Sequence, residues 1–161
     1  MIDRNAETPP SLANPDLVSE LLMGMRLYGM SYHRTQITPP FGIRYGTIEG
    51  RAQFHFVGRG PVYLRGPDDT LHTLETGDAV LLPRGGEHAL LSEPDFQSQC
   101  ITNFQARPLC RDVKEIIACS NEPDRQNDAL IFSGCMEFDL GSMHPLVALM
   151  PDVMRVSTLL E

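Results

Sequence analysis

From residue 26 to residue 92, apolar and polar positions alternate in short runs rich in Tyr, Phe, Ile and Val. Gly, Pro and Asp-containing turns break these runs every eight to twelve residues. A two-residue period marks half-buried strands, which predicts strands near 27–33, 41–48, 52–58, 61–65, 70–74, 78–82, 87–92 and 98–104. Eight short strands in this spacing imply a stack of antiparallel strands closed as a sandwich or small barrel. Outside the run, Asn14-Pro15-Asp16 supplies a cap, a proline and a first-turn carboxylate for a helix with Leu17, Leu21, Leu22 and Met25 on one face. Residues 111–118 read as a short helix, 130–138 as a strand, and 143–150 as a helix carrying Pro145 near its start and ended by Pro151. The last ten residues read as a connection.

Composition narrows the classes. At 161 residues with 42% apolar and 21% charged residues, the chain is long enough for one domain with a core that needs no disulfide or metal staple. Residues 1–13 read as a flexible tail and 14–161 as the domain. Thirteen Lys+Arg against 21 Asp+Glu give a net charge of −8, so the basic surface that phosphate neutralisation requires is missing and this chain alone is not expected to bind DNA. No apolar run approaches the length of a membrane span, and Met1 to Pro10 lacks the basic start and apolar stretch of a secretory signal. The expectation is a cytoplasmic protein without a membrane partner. Cys100, Cys110, Cys119 and Cys135 all fall in the C-terminal 62 residues, unlike a secreted disulfide framework. Free thiols follow, and small buried hydrophobes are the favoured role. A redox sensor is the sharper alternative; a structural metal site from Cys110, Cys119 and Cys135 is weaker, because Cys110 and Cys119 flank the 111–118 helix at nine residues' separation.

The most informative stretch runs Gly77-Asp-Ala-Val-Leu-Leu-Pro83-Arg-Gly85-Gly-Glu-His88. Gly77-Asp78 turns the chain, Ala79 to Leu82 makes a strand buried on both faces, and Pro83 to Gly86 turns it again with residues that tolerate special backbone angles. His88 then heads the next strand. This pattern resembles the second sequence motif of cupins, double-stranded β-barrels in which that histidine points into the cavity. The upstream cupin motif is degraded here: Gly50 precedes His55 by five residues, but Val57 stands where a second histidine would, and no carboxylate follows in Gly58 to Val62. Two of four metal ligands remain, His55 and His88, and a catalytic metal site normally takes about three.

A second resemblance covers nearly the whole chain. The N-terminal helix, Phe54-His55-Phe56-Val57, the Leu81 to His88 stretch, Gly134-Cys135-Met136-Glu137-Phe138-Asp139, His144-Pro145-Leu146 and Leu149-Met150-Pro151 follow one another as in the N-terminal cupin domain of AraC-type transcriptional regulators. The resemblance implies a mainly β cupin jelly roll with a few short flanking helices, a domain that senses a small-molecule effector and holds a homodimer. DNA binding would belong to a C-terminal helix-turn-helix domain beyond Ser157-Thr-Leu-Leu-Glu161, where the chain reads as cut from a longer protein. The implied activity is regulatory rather than enzymatic, with no required cofactor. A metal-dependent cupin enzyme holding a divalent metal on His55 and His88 is the runner-up.

In such a barrel His55 and His88 converge on one cavity, which favours an anionic or polar effector. Strand parity puts Gln53 and Val57 on the face of His55, with Phe54 and Phe56 on the other. Gln53 is therefore a third pocket candidate, and Tyr45 and Tyr63 are offered for their rings and hydroxyls. His33, His72 and His144 are read as solvated, at loops or element ends.

Overall fold

The computed structural model describes residues 27–119, 125–138 and 148–157. The two-residue period of the sequence becomes two facing sheets. Strands β1 (Leu27–Ile37), β2 (Gly42–Tyr45), β3 (Arg51–Arg59), β4 (Val62–Arg65), β5 (Leu71–Leu74), β6 (Ala79–Leu82), β7 (His88–Leu91) and β8 (Gln99–Cys100) each fall on one of the eight predicted segments. They are followed by β9 (Ala106–Cys110), β10 (Val113–Ala118), β11 (Ala129–Phe138) and β12 (Met154–Val156). The larger sheet has the order β12-β6-β3-β11-β1-β10-β9, the smaller β5-β4-β7-β2-β8. The sheets do not close on each other, so the jelly roll takes its sandwich form.

Alternation decides which side chains meet. Gln53, His55 and Val57 of β3 are buried while Phe54 and Phe56 are half-exposed, as parity required. Val57 and Ile131 from the larger sheet pack against Ile43, Leu64 and Leu90 from the smaller, all at 0% exposure. Complete burial of such a side chain stabilises the fold by about 1.5–3 kcal/mol. Strand β6 is less enclosed than expected: Val80 and Leu82 are buried, but Ala79 and Leu81 are only half-buried, because β6 lies between β3 and the short edge strand β12.

Two other expectations fail. Residues 111–118 form no helix: β10 pairs in parallel with β1, from Tyr32 opposite Val113 to Ile37 opposite Ala118. Val113, Ile116 and Ile117 stand at i, i+3 and i+4, a spacing a helix face satisfies, yet β-branched residues beside a long partner strand favour the sheet. Part of the terminal connection is strand β12, hydrogen-bonded to β6 and fastened by Arg155 Nη2 to Asp78 Oδ2 at 2.6 Å. Arg84 donates to the Met150 carbonyl at 2.5 Å and pairs with Asp152. The predicted helix at Asn14 to Met25 lies outside the described residues, as does most of that at 143–150. Ala148 and Leu149 at its end are helical.

One buried carboxylate ties the sandwich at its far end. Asp128 is 2% exposed and accepts from Thr38 Oγ1 at 2.7 Å, Gln36 Nε2 at 3.1 Å and Cys119 Sγ at 3.1 Å. Those bonds join β1 to the segments bracketing residues 120–124. A buried carboxylate is tolerated only with such partners.

Candidate functional site

The site grows from one row of the larger sheet. The register sets His55 opposite Ser133, Ser133 opposite His33, and His33 opposite Lys114, across β3, β11, β1 and β10. The next row in the same phase is Val57, Ile131, Thr35 and Ile116, all buried. A polar rung thus borders the apolar core. From the opposite sheet, β2 and β7 bring Tyr45 opposite His88.

The two imidazoles meet. His55 Nε2 and His88 Nε2 are 2.7 Å apart, His55 Nδ1 lies 2.6 Å from Ser133 Oγ, and His88 Nδ1 lies 2.7 Å from the Gly86 carbonyl oxygen. A carbonyl can only accept, so His88 carries its proton on Nδ1 and its Nε2 is a lone pair. His55 must then donate from Nε2, leaving its Nδ1 to accept the Ser133 hydroxyl proton. The polarity of the whole relay is fixed by one backbone carbonyl as long as both rings are neutral. They are held so: burial and the neighbouring His88 push His55 well below the ordinary histidine value, and burial lowers His88 against the opposing effect of Gly86.

Tyr45 completes the cluster. Its ring stacks on His88 at 5.0 Å between centroids and 5° between planes, and tilts against His55 at 4.7 Å. Its hydroxyl is buried and makes no hydrogen bond among the described residues. Burial pushes that hydroxyl up to about 12, opposed by the neighbouring Ser133 hydroxyl. A buried donor without a hydrogen bond of good geometry is costly, and here it lies on the wall of a cavity of about 320 Å3, with Gln53, His55 and Ser133 also on the wall. Apolar walls come from Ile48, Ile101, Phe104 and Ile116. Sites of this kind, apolar with a few convergent polar groups, take small organic molecules.

The structure puts three of the five pocket candidates, His55, Tyr45 and Gln53, on the cavity wall, Gln53 donating to the Gly46 carbonyl at 3.4 Å. His88, expected to point into the cavity, is not on the wall and packs behind it on His55 and the Tyr45 ring. Tyr63 falls between the inward Val62 and Leu64 on β4 and lies outside the cavity wall, on the other face of its sheet. Ser133, His33 and Lys114 were missed, because they come from strands distant in sequence. The signal for Ser133 was its phase: it is a polar residue in the inward parity of Ile131. His33 is corrected, being a half-buried member of β1 on the cavity wall rather than a solvated loop residue. His72 is half-buried on β5 and His144 lies outside the described residues.

The cysteines are free thiols, and none is buried: Cys110 is exposed and Cys100, Cys119 and Cys135 are intermediate. The expectation of small buried hydrophobes therefore fails for all four. Cys110 and Cys119 flank strand β10, not a helix. Cys135 lines the cavity, and hydrogen bonding from Thr102 holds the Cys100 thiol below its ordinary value.

A resident metal does not fit these residues. His55 Nε2 carries the proton it donates and His88 Nε2 spends its lone pair accepting it, and the third-ligand place on β3 is filled by the fully buried Val57. Among the described residues no group of three or more His, Cys, Asp or Glu side chains is arranged to hold an ion. Metal centres of the catalytic type draw on about three protein ligands.

A family model described as cupin matches residues 16–160. No curated protein matches the sequence. Among solved structures, the chain is similar to ToxT of Vibrio cholerae strain SCE256 bound to an unsaturated fatty acid, with a TM-score of 0.43 at 9% identity, covering 82% of this chain and 41% of that one. It is also similar to an apo ToxT variant of the same strain, with a TM-score of 0.43 at 11% identity, covering 81% and 42%. The chain spans about two fifths of the length of those proteins.

Proposed function

The chain belongs to the cupin family, and from that premise we propose that it is the effector-sensing and dimerisation domain of an AraC-type transcriptional regulator. In this reading the cavity beside Tyr45, His55 and Ser133 binds a small organic effector, and DNA is bound by a separate helix-turn-helix domain of the full-length protein. In this reading the protein acts in the cytoplasm as a homodimer and performs no catalysis. Among the described residues no helix is long and apolar enough to cross a membrane.

The observation that carries the reading is the buried Tyr45 hydroxyl on the cavity wall, which makes no hydrogen bond of good geometry and feels only Ser133 beside it, backed by a closed relay of His55, His88 and Ser133. A polar group on a cavity wall is satisfied by whatever fills the cavity, water when it is empty and a polar atom of the ligand when it is occupied. The order of motifs along the chain, from Phe54-His55 through Leu81 to His88 and Gly134 to Phe138, supports the regulator over an enzyme. Regulation then requires only that the effector bind two arrangements of the dimer with different affinity.

The test is a promoter reporter driven by the full-length regulator, in cells given a panel of organic acids, alcohols and amines. Tyr45→Phe should move the inducing concentration of the active compound upward by about three- to tenfold, the loss of one hydrogen bond, and leave the uninduced level unchanged. If Tyr45→Phe and the double replacement of His55 and His88 leave every response at the wild-type midpoint, the reading is wrong.

A further inference from the structure

The charge on the cavity wall is opposite to that of the protein. The chain has a net charge of −8, yet among the described residues no aspartate or glutamate lines this cavity, whereas Lys114, His33 and Arg51 do. Lys114 and His33 are cross-strand neighbours in the polar rung. Among the described residues Lys114 makes no ion pair, while Arg51 meets Glu137 only at 3.5 Å, with both side chains nearly half exposed. Burial, with Lys114 adding to it, lowers the pKa of His33. Two basic groups set side by side without a counter-charge repel, and an anion between them reverses the sign of that interaction. Next to them lie Ile48, Phe104 and Ile116, which suit an apolar body.

We propose that the cavity binds an organic acid, its anionic group held at Lys114 and His33 and its apolar body against Ile48, Phe104 and Ile116. The proposal rests on the reading of this cavity as the effector site and adds the chemical class of the effector. Apolar burial supplies affinity, and the charge supplies selection: a neutral molecule of the same shape leaves Lys114 and His33 uncompensated.

A matched pair of fluorescent probes separates the two claims. 1-Anilinonaphthalene-8-sulfonate and N-phenyl-1-naphthylamine share one aromatic body and differ by the sulfonate. Titrated into the 161-residue chain, the sulfonate should saturate at one site at least about tenfold more tightly than the neutral amine, in keeping with a charge-assisted contact. Lys114 is exposed on β10, so Lys114→Gln should leave the melting temperature unchanged. It should weaken the sulfonate about tenfold and the neutral probe not at all. Equal binding of both probes, unaffected by Lys114→Gln, overturns the acid and leaves the effector cavity standing. Saturable binding of neither probe overturns both.

Discussion

Replacing Gly85 by alanine costs the fold about 3 kcal/mol or more, the sum of a left-handed backbone penalty and an overpacked contact. Gly85 has φ of +58°, and a Cβ there would stand 2.2 Å from the backbone oxygen of Arg51 and 3.1 Å from that of Ile48. Backbone cannot step aside as a side-chain end can. The close approach is itself part of the fold, since Gly85 N donates to Leu82 O at 3.1 Å and its carbonyl accepts from Ile48 N at 3.2 Å. These bonds pin the turn that delivers Gly86 O to His88 Nδ1. Two controls separate the contributions in urea denaturation. Gly50→Ala, at φ +73° with nothing within 4 Å, should lose about 1 kcal/mol from strain alone; Gly46→Ala, equally open and not strained, should stay within about 0.5 kcal/mol of wild type. A Gly85→Ala protein as stable as the Gly46 variant would contradict the packing described.

The second large effect belongs to the imidazole relay. His55→Ala removes a side chain 1% exposed and orphans both Ser133 and His88, so a loss of about 3 kcal/mol or more is expected from the cavity and the two unmade bonds. The relay also gives the fold a pH dependence. Both folded-state values lie below the unfolded 6.5, so the unfolded chain takes up protons that the folded chain refuses. Stability from these groups is full above pH 6.5 and falls as pH drops below it toward the folded values, with a slope of up to about 1.4 kcal/mol per pH unit for each histidine. Replacing both His55 and His88 by leucine should reduce the slope of stability between pH 6.5 and 5 to the part that His33 contributes, as read by denaturation midpoints. An unchanged slope would place the titration elsewhere.

How much of this was legible in the chain follows from where each contact comes from. Strands β1 to β8 announce themselves because their alternation and turn glycines are local signals, and the turn at Gly77 and Gly85 carries the positive φ values that the motif needs. His55 and His88 were found by motif spacing and Gln53 by parity alone. Strand β10 was not found, since its inward positions include Lys114, a cation where alternation would ask for an apolar residue; the cavity it faces excuses it from packing. Tyr63 was offered because tyrosine suits a pocket, and its phase on β4 shows the ring on the other face. The partners that fix proton positions, Ser133 and the Gly86 carbonyl, depend on a pairing of β3 with β11 across 78 positions of sequence, and on a backbone atom that no side-chain pattern reports.

Long-range 15N–1H NMR of the histidine side chains at pH 7, recorded with and without one equivalent of Zn2+, tests the central claim most directly. The account predicts two neutral rings, His88 protonated on Nδ1 and His55 on Nε2, with neither moved by the metal while exposed groups such as Cys110 respond. Joint movement of both Nε2 resonances to metal-bound positions at one equivalent would make the pair a metal centre and contradict the relay-backed ligand cavity.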